Sequence, residues 1–210
     1  MTATASEAAV KHLARLDARV LAVVGTGHQA FWEAMAVAEV RDLEEVWVCG
    51  RNAAAVEALA GRLVDAGLPA RAGVKEEAIP RADIVCTVTA ARQPLFSASL
   101  ISPGTHISAM GADGPGKQEL DPALFESAAL WADAPEQSAR IGEFQHLSAA
   151  LMVDIHAIGD LIDGRLPGRS ASDAITIYDS SGLALQDLAI CAFALDRAQA
   201  EGVSLSLDLG

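Results

Sequence analysis

Gly25-Thr26-Gly27-His28-Gln29-Ala30 follows directly on the apolar run Leu21-Ala22-Val23-Val24, a strand-to-helix turn that brings backbone against a dinucleotide pyrophosphate. The first glycine permits the tight turn, the second clears the space in which the phosphates lie, and the small Ala30 lets the helix pack close to the strand. The orphan N–H groups at the start of that helix, together with its dipole, face the anion. About twenty residues further on, where such a fold selects its dinucleotide, the strand Val46-Trp47-Val48-Cys49 ends in Gly50-Arg51-Asn52. An acid at this place accepts hydrogen bonds from the ribose hydroxyls of NAD, whereas a 2′-phosphate needs a cation and no acid. Gly50 stands where the acid would be and Arg51 stands beside it, which points to NADP(H) as the preferred cofactor and NAD(H) as the second choice. The competing reading of Arg51 is a solvated arginine at the start of a helix.

A second constellation runs from Pro103 to Lys117, PGTHISAMGADGPGK. A strand leads into a loop with three glycines and a proline around a single carboxylate, at the carboxyl end of the sheet where open α/β folds bind ligands. Asp113 is therefore the acid/base candidate; its other reading is a turn-forming aspartate bonded to its own backbone.

The elements that must position these residues alternate along the chain. An amphipathic helix over 4–15 leads into strand 20–24, helix 28–41, strand 45–49, helix 53–66, a short strand near 69–73 and strand 83–88. Strand 105–110, the glycine-rich turn 111–116, a helix from about Pro122 and strand 128–132 follow. The strands are apolar throughout, as they must be when helices cover both faces. Six strands make a doubly wound parallel sheet, an α/β fold of Rossmann type. Past the turn-rich stretch Arg165–Ser170, the β-branched run Ile175-Thr176-Ile177-Tyr178 precedes a long helix, 182–200, expected to return to the sheet. A single domain over 1–210 is expected, its core at about 18–150 and its C-terminal return segment at about 151–210.

Composition narrows the function classes. The 210 residues are 51% hydrophobic and carry a net charge of −13. An acidic surface without a basic stripe argues against nucleic acid. No stretch approaches the ~18 apolar residues of a membrane span, and no apolar signal core opens the chain, so no membrane partner and a cytoplasmic location are expected. Cys49, Cys86 and Cys191 are widely spaced in apolar surroundings, which reads as three buried, reduced thiols. His12, His106, His146 and His156 lack ligand spacing, so no metal is expected; His28, in the phosphate turn, reads as facing solvent. Trp32, Trp47 and Trp131 read as packing residues.

The segment GADGPGKQELDP, Gly111 to Pro122, with the preceding PGTHISAMG, resembles the signature of the ornithine cyclodeaminase/μ-crystallin family. The likeness continues through Ala82-Asp83-Ile84-Val85, Gln137, Gly142-Glu143, Gly164-Arg165, Pro167-Gly168-Arg169 and ITIYDSSGLALQDLA, Ile175 to Ala189. It covers essentially the entire chain from Thr2. The resemblance implies an NAD(P)-dependent activity on amino or imino acids, with Asp113 as the family's catalytic aspartate. It also implies that Thr87-Val88-Thr89, Ser108, Met110 and Gly111 lie along the cofactor, and that Ser180, Ser181 and Gly182 close near the nicotinamide. Ser108 replaces the family's usual asparagine, so that polar contact is kept only in kind, while Lys117 suits a loop-fixing role as well as a site role.

The same resemblance sets an expectation about what is missing. Members carry an N-terminal portion that binds substrate and builds the dimer, and their carboxylate-clamping arginine falls here on Met1. The expected function is thus an oxidoreductase acting on the C=N or C–N bond of a small amino or imino acid, completed by an N-terminal partner chain or by self-association. The alternative is a dinucleotide-binding module without turnover.

Overall fold

The structure, a computed structural model, describes residues 2–205 apart from 149 and 151; Met1 lies outside them. Eight strands form one sheet: β1 (Val20–Val24), β2 (Glu45–Cys49), β3 (Ala70–Ala72), β4 (Ile84–Thr87), β5 (His106–Ala109), β6 (Ala128–Ala132), β7 (Ile155–Ala157) and β8 (Ile175–Asp179). The helices are α1 (Thr2–Leu13), α2 (His28–Val40), α3 (Ala53–Asp65), α4 (Lys75–Ala78), α5 (Pro135–Ile141), α6 (Ile158–Ile162) and α7 (Ala184–Ala200). The spatial order is β3-β2-β1-β4-β5-β8-β6-β7, and each neighbouring pair is parallel.

Why the strands are apolar at every position is visible in their packing. Successive side chains point to opposite faces, and both faces are covered. Leu21 and Val23 of β1 join Val46 and Val48 of β2 and Ile84 of β4 in a core beneath α1, α2 and α3. Ala22, Val24, Trp47 and Val85 enter a second core with Ile79, Phe125 and Phe144. Arg41, just past α2, fastens α1 to this body by donating to the carbonyls of Val10, Ala14 and Arg15 at 2.8, 3.0 and 2.9 Å.

Several expectations change. The run Ile175–Tyr178 is the interior strand β8, inserted between β5 and β6, and β7 adds another parallel strand at the edge, so the sheet has eight strands where six were expected. The segment after Asp121 is a 3-10 turn, Pro122–Glu126, because Asp121 caps it by accepting from Ala123 N at 3.1 Å and Ser127 ends it after five residues. The return segment re-enters the sheet as β8. Beyond it α7 buries none of its residues, leaving Leu185, Leu188 and Phe193 exposed. Cys49 and Cys86 are buried as expected, but Cys191, on α7, is exposed. Trp47 and Trp131 are buried, whereas Trp32 is half exposed on α2. No described helix is long and apolar enough to cross a membrane.

Candidate active site at the carboxyl edge

The chain winds from β1 to β2 and β3 in one direction, and places β4 and β5 on the other side of β1. The topological switch therefore falls between the carboxyl ends of β1 and β4, where open sheets form a ligand crevice. Gly25 follows β1 at this point, with φ +142°, and a Cβ there would lie 2.5 Å from the carbonyl oxygen of Val88. Only glycine satisfies both the backbone conformation and the contact. Main-chain hydrogen bonds from Gly25 N to Cys49 O (2.9 Å), Val88 N to Val24 O (3.0 Å), Met110 N to Thr87 O (2.8 Å) and Ser180 N to Ala109 O (3.1 Å) carry the ladder past the strand ends. They hold the expected site residues along one edge.

Whether a dinucleotide phosphate fits is decided at α2. Gly27 caps this helix with no side-chain acceptor, and a Cβ on Gly27 would meet nothing within 4 Å. At α3, by contrast, Asn52 accepts from Ala55 N at 3.1 Å. The start of α2 thus presents helical N–H groups and open backbone, the donor set an anion needs, so the residues present fit a pyrophosphate. His28 is exposed at this turn, as are Gly27 and Gln29, while Ala30 is buried beneath them. Gly50 has a packing reason of its own: a Cβ there would sit 2.8 Å from Cγ2 of Thr26 and 3.1 Å from Cγ2 of Val56. Arg51 next to it is exposed, and Asn52 is taken up with capping α3.

Further along the same edge, a cleft opens over the ends of β5 and β8. Met110 and Asp113 face the segment Ser180-Ser181-Gly182-Leu183-Ala184, with Gln186 and Asp187 of α7, across a cleft of about 320 Å³. Asp133 steadies that segment by accepting from Ser180 Oγ and Gly182 N, both at 3.0 Å. Gln137 donates to Ser181 Oγ at 3.1 Å and Gly182 O at 2.6 Å. Asp113 is 62% exposed and ion-paired with Lys117.

Some expected contacts point inward. Thr87 is fully buried and donates to Glu119 at 2.7 Å, as does the hydroxyl of Thr89. Ser108 is fully buried with its hydroxyl 3.2 Å from Nε2 of His106. That histidine is enclosed between Ser108 and Thr176, and burial pushes its pKa down to about 3, so it stays neutral.

The acids that organise this edge escaped the sequence reading. Glu119, Glu143 and Asp179 are all fully buried. Desolvation pushes Glu143 and Asp179 up to about 8 and raises Glu119 as well. The available signal was that Glu119, Glu143 and Asp179 lie in the motif stretches themselves, which also hold the glycines, Gly111 and Gly142, that make room for Glu119 and Asp179. A Cβ on Gly111 would be 2.6 Å from the Glu119 carboxyl, and one on Gly142 would be 2.0 Å from Oδ2 of Asp179.

The sequence profile of the ornithine cyclodeaminase/mu-crystallin family matches residues 1–202. The chain belongs to that family. The iminosuccinate reductase of Paracoccus denitrificans is 36% identical over 211 aligned positions, covering 99% of this chain and 66% of that enzyme. The crystal structure of that organism's iminosuccinate reductase in complex with NAD+ superposes with a TM-score of 0.94 at 35% identity, over 99% of this chain and 65% of the other. An archaeal alanine dehydrogenase dimer with bound NAD gives 0.93 at 35% identity over 100% and 66%. The Δ(1)-pyrroline-2-carboxylate reductase of Thermococcus litoralis, in complex with NADH and L-proline, gives 0.91 at 27% identity over 98% and 66%. The chain therefore spans about two thirds of the length of these relatives.

Proposed function

We propose that this chain is the dinucleotide-binding part of an NAD(P)H-dependent oxidoreductase acting on the C=N bond of an α-imino acid, or on the C–N bond of the corresponding amino acid. The observation that carries the reading is the single carboxyl edge on which the Gly25–Ala30 turn, Arg51 and the Asp113 cleft stand in line. Reduced nicotinamide supplies the hydride when bound. Asp113, beside Lys117, exchanges a proton with the substrate nitrogen or with water, so that carbon gains the hydride and nitrogen the proton. The relatives' names, which cover imino- and amino-acid substrates, support this class of substrate.

NADPH is the proposed preference. Gly50 removes the acid that would repel a 2′-phosphate and the exposed Arg51 offers it a charge-assisted partner. NAD(H) is the cofactor named in the three related structures, so the case for the 2′-phosphate rests on Gly50 and Arg51 alone.

The cleft is open, and the residues lining it include two carboxylates, Asp113 and Asp187, but neither lysine nor arginine. A substrate carboxylate finds no charge partner in that lining. We assign the carboxylate clamp and the cover that excludes water to another polypeptide surface, whether a further segment, a partner chain or a second copy. The same openness favours a second reading, a dinucleotide-binding module without turnover. Reductase assays on the purified chain, with NADPH and a panel of cyclic and linear imino acids, separate the two. Turnover well below ~1 per second that rises when the relatives' N-terminal portion is added in trans supports the first reading. Dinucleotide binding with no turnover under either condition supports the second, and rates of ~1 to 10³ per second from the chain alone refute the assignment of the clamp elsewhere.

A further inference from the structure

Building on the dinucleotide reading above, we propose that Glu119 is a positioning residue for the nicotinamide end of the cofactor groove, its carboxylate fixing the spacing between the chain ends that leave β4 and β5. Each oxygen of that carboxylate takes one backbone N–H and one hydroxyl. Oε1 accepts from Thr89 N at 2.6 Å and Thr89 Oγ1 at 2.7 Å. Oε2 accepts from Thr87 Oγ1 at 2.7 Å and Gly111 N at 2.9 Å. The Thr89 hydroxyl also accepts from Ala91 N at 3.1 Å, which ties the following residue into the same arrangement. Thr89 N and Gly111 N can only donate, one to each oxygen, so both oxygens of Glu119 must accept; an amide would have to present N–H to N–H.

The clamp is itself held from behind. Glu119 N and Leu120 N donate to the two oxygens of Glu143, at 2.5 and 3.1 Å, and the Glu119 carbonyl accepts from Leu95 N at 2.8 Å. At Gly111 the fit leaves no room, since a Cβ would lie 2.2 Å from the carbonyl oxygen of Thr89. Among the described residues no lysine or arginine is a hydrogen-bond partner of Glu119, so the burial of this polar group goes uncompensated by a cation, a cost that a purely structural tie between strands would avoid with an apolar pair. What this carboxyl joins is the Thr87–Thr89 wall, backed on its other side by Gly25, to the Met110–Asp113 loop that lines the cleft.

Glu119→Gln keeps the shape and turns one acceptor into a donor facing a backbone N–H. Because Glu119 bridges β4 and β5 and not the β1–β2 end, its effect should divide the cofactor. By calorimetry, the affinity of Glu119→Gln for NADPH and NADH is expected to fall about tenfold or more, the size of a lost charge-assisted hydrogen bond. ADP, which has neither the second ribose nor the nicotinamide and so reaches only the Gly25–Ala30 turn and the Arg51 end, should change less than about threefold. Thr87→Val, near-isosteric and fully buried, provides a second test should Glu119→Gln not fold. It removes one donor and should give the same split at about threefold for NADH. NADH affinity unchanged in the variant, or ADP lost in equal measure, overturns the positioning role. A wild-type chain that binds none of the three ligands overturns the dinucleotide reading itself, and the role of Glu119 with it.

Discussion

Stability should fall as pH rises through neutrality, and Asp179 should be one of the groups responsible. Its carboxyl is fully buried, with Ser138 as a hydrogen-bond partner to one oxygen and Oδ1 without a partner. Burial pushes its pKa from 3.8 to about 8. The raised value means that the folded chain keeps a proton that the unfolded chain releases above about pH 4. Unfolding stability therefore declines with pH from that point and levels off above about pH 8. Within the window one such group contributes about 1.4 kcal/mol per pH unit. Between pH 6.0 and 7.5 that is about 2 kcal/mol, or ~4–8 °C in Tm for a chain of this size. Glu143, pushed from 4.5 to about 8 by its own burial, adds a decline of the same sign. Thermal melts of the wild type and of Asp179→Asn at half-unit pH steps test the reasoning. The wild type should lose Tm across this window and Asp179→Asn should show a slope shallower by about 1.4 kcal/mol per unit. A flat or rising wild-type profile, or identical slopes in the two proteins, would refute it.

Three further outcomes follow from the site. Arg51→Ala should weaken NADPH binding roughly tenfold while leaving NADH within about threefold, measured by calorimetry; an equal loss for both cofactors would assign Arg51 to the surface. Asp113→Asn should lower imino-acid reduction by ~10²- to 10⁴-fold, in whatever assembly proves active, with cofactor affinity nearly unchanged. Near-normal turnover would leave Asp113 a loop residue. Gly25→Ala forces a Cβ to 2.5 Å from the Val88 carbonyl at φ +142°, and should abolish dinucleotide binding and lower stability by about 2 kcal/mol or more, since both strain and overpacking apply. Wild-type affinity and Tm in that variant would mean the turn has another course.

Much of the dinucleotide half was legible because its signals are local. Strands β1 and β2 fall on the expected residues, and α2 and α3 end one residue earlier than read, since each is bounded by a glycine or asparagine cap and a two-face apolar strand. The place of β8 was not legible. Ile175–Asp179 announces a strand by its β-branched residues, but its insertion between β5 and β6 is settled by pairing with His106–Ala109 and Ala128–Ala132, partners tens of residues away. Glu119, Glu143 and Asp179 were hidden for a related reason. In a chain carrying −13 an acid reads as surface charge, and only their burial, with the main-chain N–H groups gathered around Glu119 and Glu143, shows that they are interior anchors. The inward turn of Thr87 and Ser108 follows from the same strands: in a sheet covered on both faces, a strand residue before the last ladder bond has no open side to face.

Direct titration of the purified chain with NADPH and NADH, followed by calorimetry, tests the central claim that the carboxyl edge from Gly25 to Gly182 is a dinucleotide site. One saturable site per chain is expected for both, with NADPH the tighter by roughly tenfold, and with both lost in Gly25→Ala. Absence of binding by either cofactor to the folded wild-type chain, or binding that survives Gly25→Ala unchanged, would contradict it.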